Sequence, residues 1–163
     1  MKRITLFLSV LMMGLALSQS VRAESFEIAL GKAIRTHGLE ETKILLATYS
    51  PDYLHKLDLR MHGGFILQEK SKTVKFAGVD YYWNGFVEQK EKSPFSQVGV
   101  GLSYFDRLTE NLGSRLEIHL FLTLTGVIRN DGRYMAFRVD HFSNGGATEK
   151  NTGENFLTFV FGF

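Results

Sequence analysis

The sequence predicts an all-β chain, an eight-stranded antiparallel transmembrane β-barrel, on three observations. An export-type leader opens the chain, and no apolar segment long enough for a membrane helix follows it. Apolar and non-apolar residues then alternate with a period of two. The chain closes on Asn155-Phe-Leu-Thr-Phe-Val-Phe-Gly-Phe163, in which Leu157, Phe159, Phe161 and Phe163 share a face.

The leader comes first. Lys2 and Arg3 form a short positive region, Ile4 to Leu17 carries no charge, and Val21-Arg22-Ala23 places short side chains where a signal peptidase reads them. This is the pattern of a cleaved secretory signal. The expected division is a signal peptide over 1–23 and a barrel domain over 24–163. Lys2, Arg3 and Arg22 account for three of the 19 basic residues, which leaves 16 against 17 acidic groups after cleavage. That balance gives no electrostatic reason to bind nucleic acid. The chain has no cysteine, so disulfides and thiolate metal sites are excluded.

Two strands, expected near 25–34 and 42–49, precede the turn Ser50-Pro51-Asp52. In the third, 55–68, Leu57, Leu59, Met61, Phe65 and Leu67 alternate with Lys56, Asp58, Arg60 and His62. The fourth, 73–84, breaks alternation at Val74-Lys75-Phe76-Ala77, where a bulge is expected. Ser93-Pro94 marks the turn before the fifth, 96–106, whose Val98, Val100, Leu102 and Tyr104 alternate with Gln97, Gly99, Gly101 and Ser103. In the sixth, 114–128, Leu116, Ile118, Leu120, Leu122 and Leu124 oppose Arg115, Glu117, His119, Phe121 and Thr123. Asn130-Asp131-Gly132 is a tight-hairpin turn. It leads into the seventh strand, 132–143, where Met135, Phe137 and Val139 alternate with Tyr134, Ala136, Arg138 and Asp140. The eighth, 155–163, ends in the aromatic residue typical of outer-membrane barrels.

A soluble sandwich alternates too, but its apolar face fills a core. Here the apolar faces are long and nearly uninterrupted, and the opposite faces mix Gly, Ser and Gln with charges of both signs. That is aliphatic outside and polar or small inside, the membrane-barrel pattern. Tyr81, Trp83 and Tyr104 fall near strand ends, where an aromatic girdle lies. Eight strands enclose only enough room for side chains. Arg115, Glu117, His119, Arg138 and Asp140 are therefore expected as a lumen network, with His119 a satisfied interior histidine. A porin is excluded.

Chemistry concentrates in Val139-Asp140-His141-Phe142-Ser143-Asn144-Gly145-Gly146 and Asn151-Thr152-Gly153-Glu154-Asn155. His141 and Ser143 continue the outward face of Met135, Phe137 and Val139, and Asn155 continues that of Leu157 and Phe159. Polar groups facing lipid are costly, so three of them on adjoining strands call for a reason. A histidine can activate a serine, a third group can fix its tautomer, and the glycine turn can present N–H groups to an oxyanion. With both termini in the periplasm, the cluster lies at the outer leaflet, beside the lipid A portion of lipopolysaccharide. A plainer reading is that the polar pair marks where the strand leaves the bilayer.

The segment His141-Phe-Ser143-Asn144-Gly-Gly146 with Asn151-x-Gly153 resembles the C-terminal signature of the PagL family of outer-membrane lipid A 3-O-deacylases. The resemblance implies an eight-stranded barrel, His141 as general base and Ser143 as nucleophile. It makes Asn144 and Gly146 candidates for oxyanion stabilisation. Asn155 occupies the position of the family's glutamate, and Glu154, one residue early, is the alternative third member unless a bulge shifts it. The expected substrate is the 3-linked 3-hydroxyacyl ester of lipid A, without metal or organic cofactor. The expected surroundings are the outer membrane, with a homodimer allowed. The rival readings are a non-enzymatic barrel for adhesion, envelope integrity or protein interaction, and another outer-membrane lipid esterase such as a phospholipase.

Overall fold

In a computed structural model of the chain, residues 25–34, 42–68, 73–84, 97–109, 111–128, 133–149 and 152–163 are described. The leader 1–23 and the turns at Ser93-Pro94 and Asn130-Asp131-Gly132 lie outside the described residues. The strands are β1 (Ser25–Ala33), β2 (Thr42–Ser50), β3 (Leu59–Gln68), β4 (Val74–Asn84), β5 (Gln97–Phe105), β6 (Leu116–Ile128), β7 (Tyr134–Ser143) and β8 (Glu154–Gly162), with one helical turn, α1 (Asp52–His55). Each strand is antiparallel to its neighbours, and β1 pairs with β8 to close the barrel. Closure removes the sheet edge and pairs the ladder groups internally, the condition for strands to stand in lipid.

The outer wall is apolar. Val79, Val100, Leu102, Leu116, Leu120, Leu122, Leu124, Phe137 and Leu157 are 37% to 56% exposed. Water does not tolerate so continuous an apolar surface, whereas acyl chains do. Tyr81 and Trp83, ring centroids 4.7 Å apart, lie towards the end that carries the chain termini. Tyr104 lies towards the opposite end.

The interior is filled in two layers. The layer nearer the termini is ionic. Arg138 Nη1 donates to Glu27 Oε2 at 2.7 Å, and its Nε lies 3.0 Å from Asp140 Oδ1. Arg60 reaches Asp80 Oδ2 at 3.2 Å and Glu27 Oε2 at 3.3 Å. His119 spans Asp80 (2.9 Å) and Asp140 (3.1 Å), and Thr158 Oγ1 donates to Asp140 Oδ2 at 2.8 Å. Tyr134 donates its hydroxyl to Glu27. Gly78 and Gly101 make room for this network, since a Cβ on either would strike His62 or Asp80. Buried charge is tolerated only when it is paired and hydrogen-bonded.

The layer farther from the termini is aromatic. Phe76 stacks on Phe105 at 5.2 Å, and both meet Phe142 edge-on at 5.2 and 5.6 Å. Ile44, Ile66, Val74 and Phe156 complete it. His119 joins the layers, its ring flat on Phe142 at 4.4 Å with an interplanar angle of 7°.

Several expectations are corrected. β3 begins at Leu59, not near 55, because 52–55 turn into α1 and Asp58 takes φ 54°. β4 keeps its register, and the extra residue falls in β6, between Leu124 and Val127. The apparent break in β4 arises because Val74 and Phe76 face inward, into the aromatic layer. Arg115 is not a lumen residue: it precedes β6, is exposed, and contributes its carbonyl to Phe105 N–H. Glu117 does face inward, but it accepts from Ser114 N–H (3.1 Å) and Ser114 Oγ (3.0 Å) at the loop and does not join the ion pairs.

Candidate active site on the outer wall

Alternation in β7 holds to its end. Asp140 and Phe142 are buried inward, and His141 and Ser143 turn outward, each partly covered. In the ladder to β8, His141 faces Asn155 and Phe142 faces Glu154. Register thus places the amide and not the carboxylate beside the histidine. Asn155 is exposed on the outer wall, whereas Glu154 is buried on the inner one. His141 Nδ1 lies 2.8 Å from Asn155 Oδ1. An amide oxygen only accepts, so Nδ1 is the donor in this bond.

Ser143 follows His141 by two residues on the same face and sits in register with Ile118 of β6. His141 and Asn155 are joined by a hydrogen bond; Ser143 stands beside them without one to the ring. A β-strand's same-face neighbours lie about 7 Å apart at Cα.

Beyond Ser143 the chain turns through Asn144, Gly145 and Gly146, with φ 64° and 86° at the glycines. Such backbone is open to glycine and costly for most residues. Asn144 organises the turn: its Oδ1 accepts from Gly146 N–H at 3.0 Å, and its Nδ2 donates to Thr148 Oγ1 at 2.6 Å. Gly146 N–H, an oxyanion candidate, is therefore engaged within the turn and meets a substrate oxygen only by exchanging that bond.

Gly153 has a structural role that spacing did not reveal. It adopts φ 67°, and a Cβ there would come within 2.9 Å of His141 Cε1 and 3.2 Å of Phe142 O. The missing side chain is the seat of the histidine ring. Thr152, the residue before it, ties this loop to the one before β6, where its N–H and hydroxyl both reach Asn111 O at 3.3 Å. Thr109 Oγ1 in turn accepts from the N–H of Leu112 at 3.1 Å. A glycine followed directly by a strand was the available signal for Gly153; nothing local pointed to Asn111.

The wall around the site is aliphatic: Leu120 opposite His141, Ile118 opposite Ser143, and Val139 opposite Leu157 one step towards the termini. Among the described residues, His62, Asp80 and His119 form the group able to ligate a metal. They lie inside the barrel, with Arg60 on Asp80 and with Ser103 and Asp140 taking the outer ring nitrogens. That cluster is part of the ionic layer and has no access to the outer site.

Comparison with known proteins adds the family. A family profile described as lipid A 3-O-deacylase (PagL) matches residues 48–163, a span that includes every residue of the site. Among solved structures, the crystal structure of the outer membrane enzyme PagL superposes with TM-score 0.60 at 19% identity, covering 85% of this chain and 98% of the other. The crystal structure of Neisserial surface protein A (NspA) gives TM-score 0.48 at 14% identity, covering 85% and 94%. No curated protein sequence matches. At 19% identity the likeness to the PagL structure establishes the barrel, and the profile establishes the family.

Proposed function

The chain belongs to the PagL family of lipid A 3-O-deacylases, which are ester hydrolases, and from that premise we propose that it removes the 3-linked 3-hydroxyacyl chain of lipid A by serine catalysis on its outer wall. The observation that carries this reading is the His141–Asn155 hydrogen bond beside Ser143 on an otherwise aliphatic surface. Packing gives no reason for such a set.

His141 Nε2 takes the proton of Ser143 Oγ as that oxygen attacks the ester carbonyl carbon. The tetrahedral intermediate collapses, the sugar 3-oxygen leaves with the proton returned from His141, and an acyl-serine remains. Water, activated by the same nitrogen, releases the 3-hydroxy fatty acid. Asn155 holds the tautomer throughout. Ile118, Leu120, Val139 and Leu157 seat the departing chain. With the termini in the periplasm, the site meets the outer leaflet, where lipid A resides, so the substrate need not leave the membrane. One barrel holds every group, and a second copy is not required. Residues 1–23 are read as the export signal. Family membership weighs against the adhesion reading, and no observation favours a phospholipid over lipid A.

The test is mass spectrometry of lipid A from cells producing the wild-type chain. Loss of one 3-hydroxyacyl group is expected, with the free fatty acid recovered; unchanged lipid A overturns the proposal. A second outcome concerns the third member. A carboxylate stabilises the imidazolium formed during attack better than an amide does. Asn155→Glu is therefore expected to raise kcat by about tenfold, equivalent to about 1.4 kcal/mol. An unchanged or lower kcat in the folded variant removes Asn155 from the role of orienting His141.

A further inference from the structure

The turn between β2 and β3, at the end of the barrel that carries the chain termini, has two unlike faces. It begins as α1 (Asp52–His55), and the coil runs on to Asp58, with Lys56 N–H to Asp52 O at 3.1 Å, Leu57 N–H to Leu54 O at 2.9 Å and Asp58 N–H to His55 O at 3.1 Å. Residues four apart on such a coil share a face. Asp52 and Lys56 make one face and are ion-paired at 2.9 Å. Tyr53 and Leu57 make another, 65% and 60% exposed. At about 3.6 residues per turn, that apolar face lies opposite His55. His55 Nδ1 lies 2.6 Å from the hydroxyl of Tyr82, whose side chain is buried inside the barrel. His55 thus fastens the turn inward, and Tyr53 and Leu57 are directed away from the barrel axis.

That face continues the apolar outer wall. The pairing of β3 with β4 sets Leu59 against Tyr81, and one step towards the termini Tyr82 N–H reaches Asp58 O at 2.9 Å, which brings Leu57 to the level of Trp83. Tyr81 and Trp83 are themselves exposed and packed edge to face. We propose that this turn is an interfacial foot: Tyr53 and Leu57 enter the boundary between phospholipid headgroups and acyl chains in the leaflet at the termini end, beside Tyr81 and Trp83, while Asp52 and Lys56 stay in the aqueous layer. Tyrosine suits that boundary, with its ring in the apolar part and its hydroxyl in the wet part. A coil with one apolar and one charged face lies flat in it. Two side chains offer far less surface than the roughly 800 Å² per partner of a stable protein interface, whereas lipid covers them as a continuation of the wall. The foot adds to the aromatic girdle a segment outside the strands, and it stands apart from the deacylase reading.

The experiment uses the full barrel in phosphatidylcholine vesicles. Tyr53→Trp, Leu57→Trp and Lys56→Trp are each combined with Trp83→Phe, which replaces the sole native tryptophan, so that one fluorophore reports. Each variant is first shown to keep the β-sheet circular dichroism of wild type. Quenching is then compared between phospholipids brominated high on the acyl chains, near the headgroup, and phospholipids brominated near the terminal methyl. Tyr53→Trp and Leu57→Trp are expected to be quenched at least about threefold more by the shallow bromines than by the deep ones, as fits a side chain at the headgroup boundary. Lys56→Trp, on the charged face, is expected to be quenched by neither. Absence of lipid quenching at positions 53 and 57, or quenching there equal to that at 56, overturns the proposal. So does shielding of either position that develops only as protein concentration rises, which assigns the face to a second copy of the chain.

Discussion

Ser143→Ala should abolish deacylation, lowering kcat by a factor of at least about 10³, because the proposed acyl intermediate forms on the Ser143 hydroxyl. The barrel should fold as wild type. Ser143 lies at the end of β7, and its ladder to Ile118 uses backbone groups that alanine retains. The measurement is release of 3-hydroxy fatty acid from lipid A by the folded variant. Activity above about a tenth of wild type would assign the nucleophile elsewhere, and the polar trio would then mark only where the strand leaves the bilayer. His141 gives a consistent check on the same assay. Its ring is held at Nδ1 by Asn155 and seated against Gly153, so a replacement that keeps the fold still loses the base.

The largest effect on stability is expected inside the barrel. Arg138 is fully buried and joins Glu27 to Asp140. Arg138→Met keeps most of the side-chain volume and removes the charge. The two carboxylates then share fewer donors in a layer closed to water. Breaking a buried ion pair costs about 3–5 kcal/mol. Unfolding by urea in lipid vesicles, followed by the fluorescence of Trp83, the sole tryptophan, should show a loss of that size. A loss below about 1 kcal/mol would mean that the interior carboxylates are satisfied without the guanidinium.

Alternation revealed the barrel because the outer wall obeys one rule everywhere: outward side chains meet acyl chains. The inner wall obeys two rules, and that is where the sequence misled. Val74 and Phe76 violate a polar-inside expectation only because the aromatic layer reaches them. The extra residue in β6 is hidden because Leu116 to Leu124 alternate cleanly right up to it. The start of β3 was overreached because Leu57 and Asp58 happen to alternate, while positive φ at Asp58 shows that the strand has not begun.

The candidate site was legible for the same reason as the wall. Parity alone assigns His141, Ser143 and Asn155 to one face and Glu154 to the other, and pairing of β7 with β8 brings His141 to Asn155. The turn behaved differently. Parity does not extend into a loop, so neither the Asn144–Gly146 bond nor the contact of Gly153 with the imidazole follows from spacing.

Phe142 stands between His141 and Ser143 in the chain, and its ring is pressed against His119 on the other side of the wall. A strand is a single residue thick, so this ring acts as a rivet: its head is in the packed interior, and His141 and Ser143 sit on the outer plate it fastens. The angle at which they meet a lipid is therefore set from behind, by aromatic and ionic packing that no substrate touches. Interior substitutions, invisible from the membrane, become a means of adjusting how His141 and Ser143 are presented on the outside.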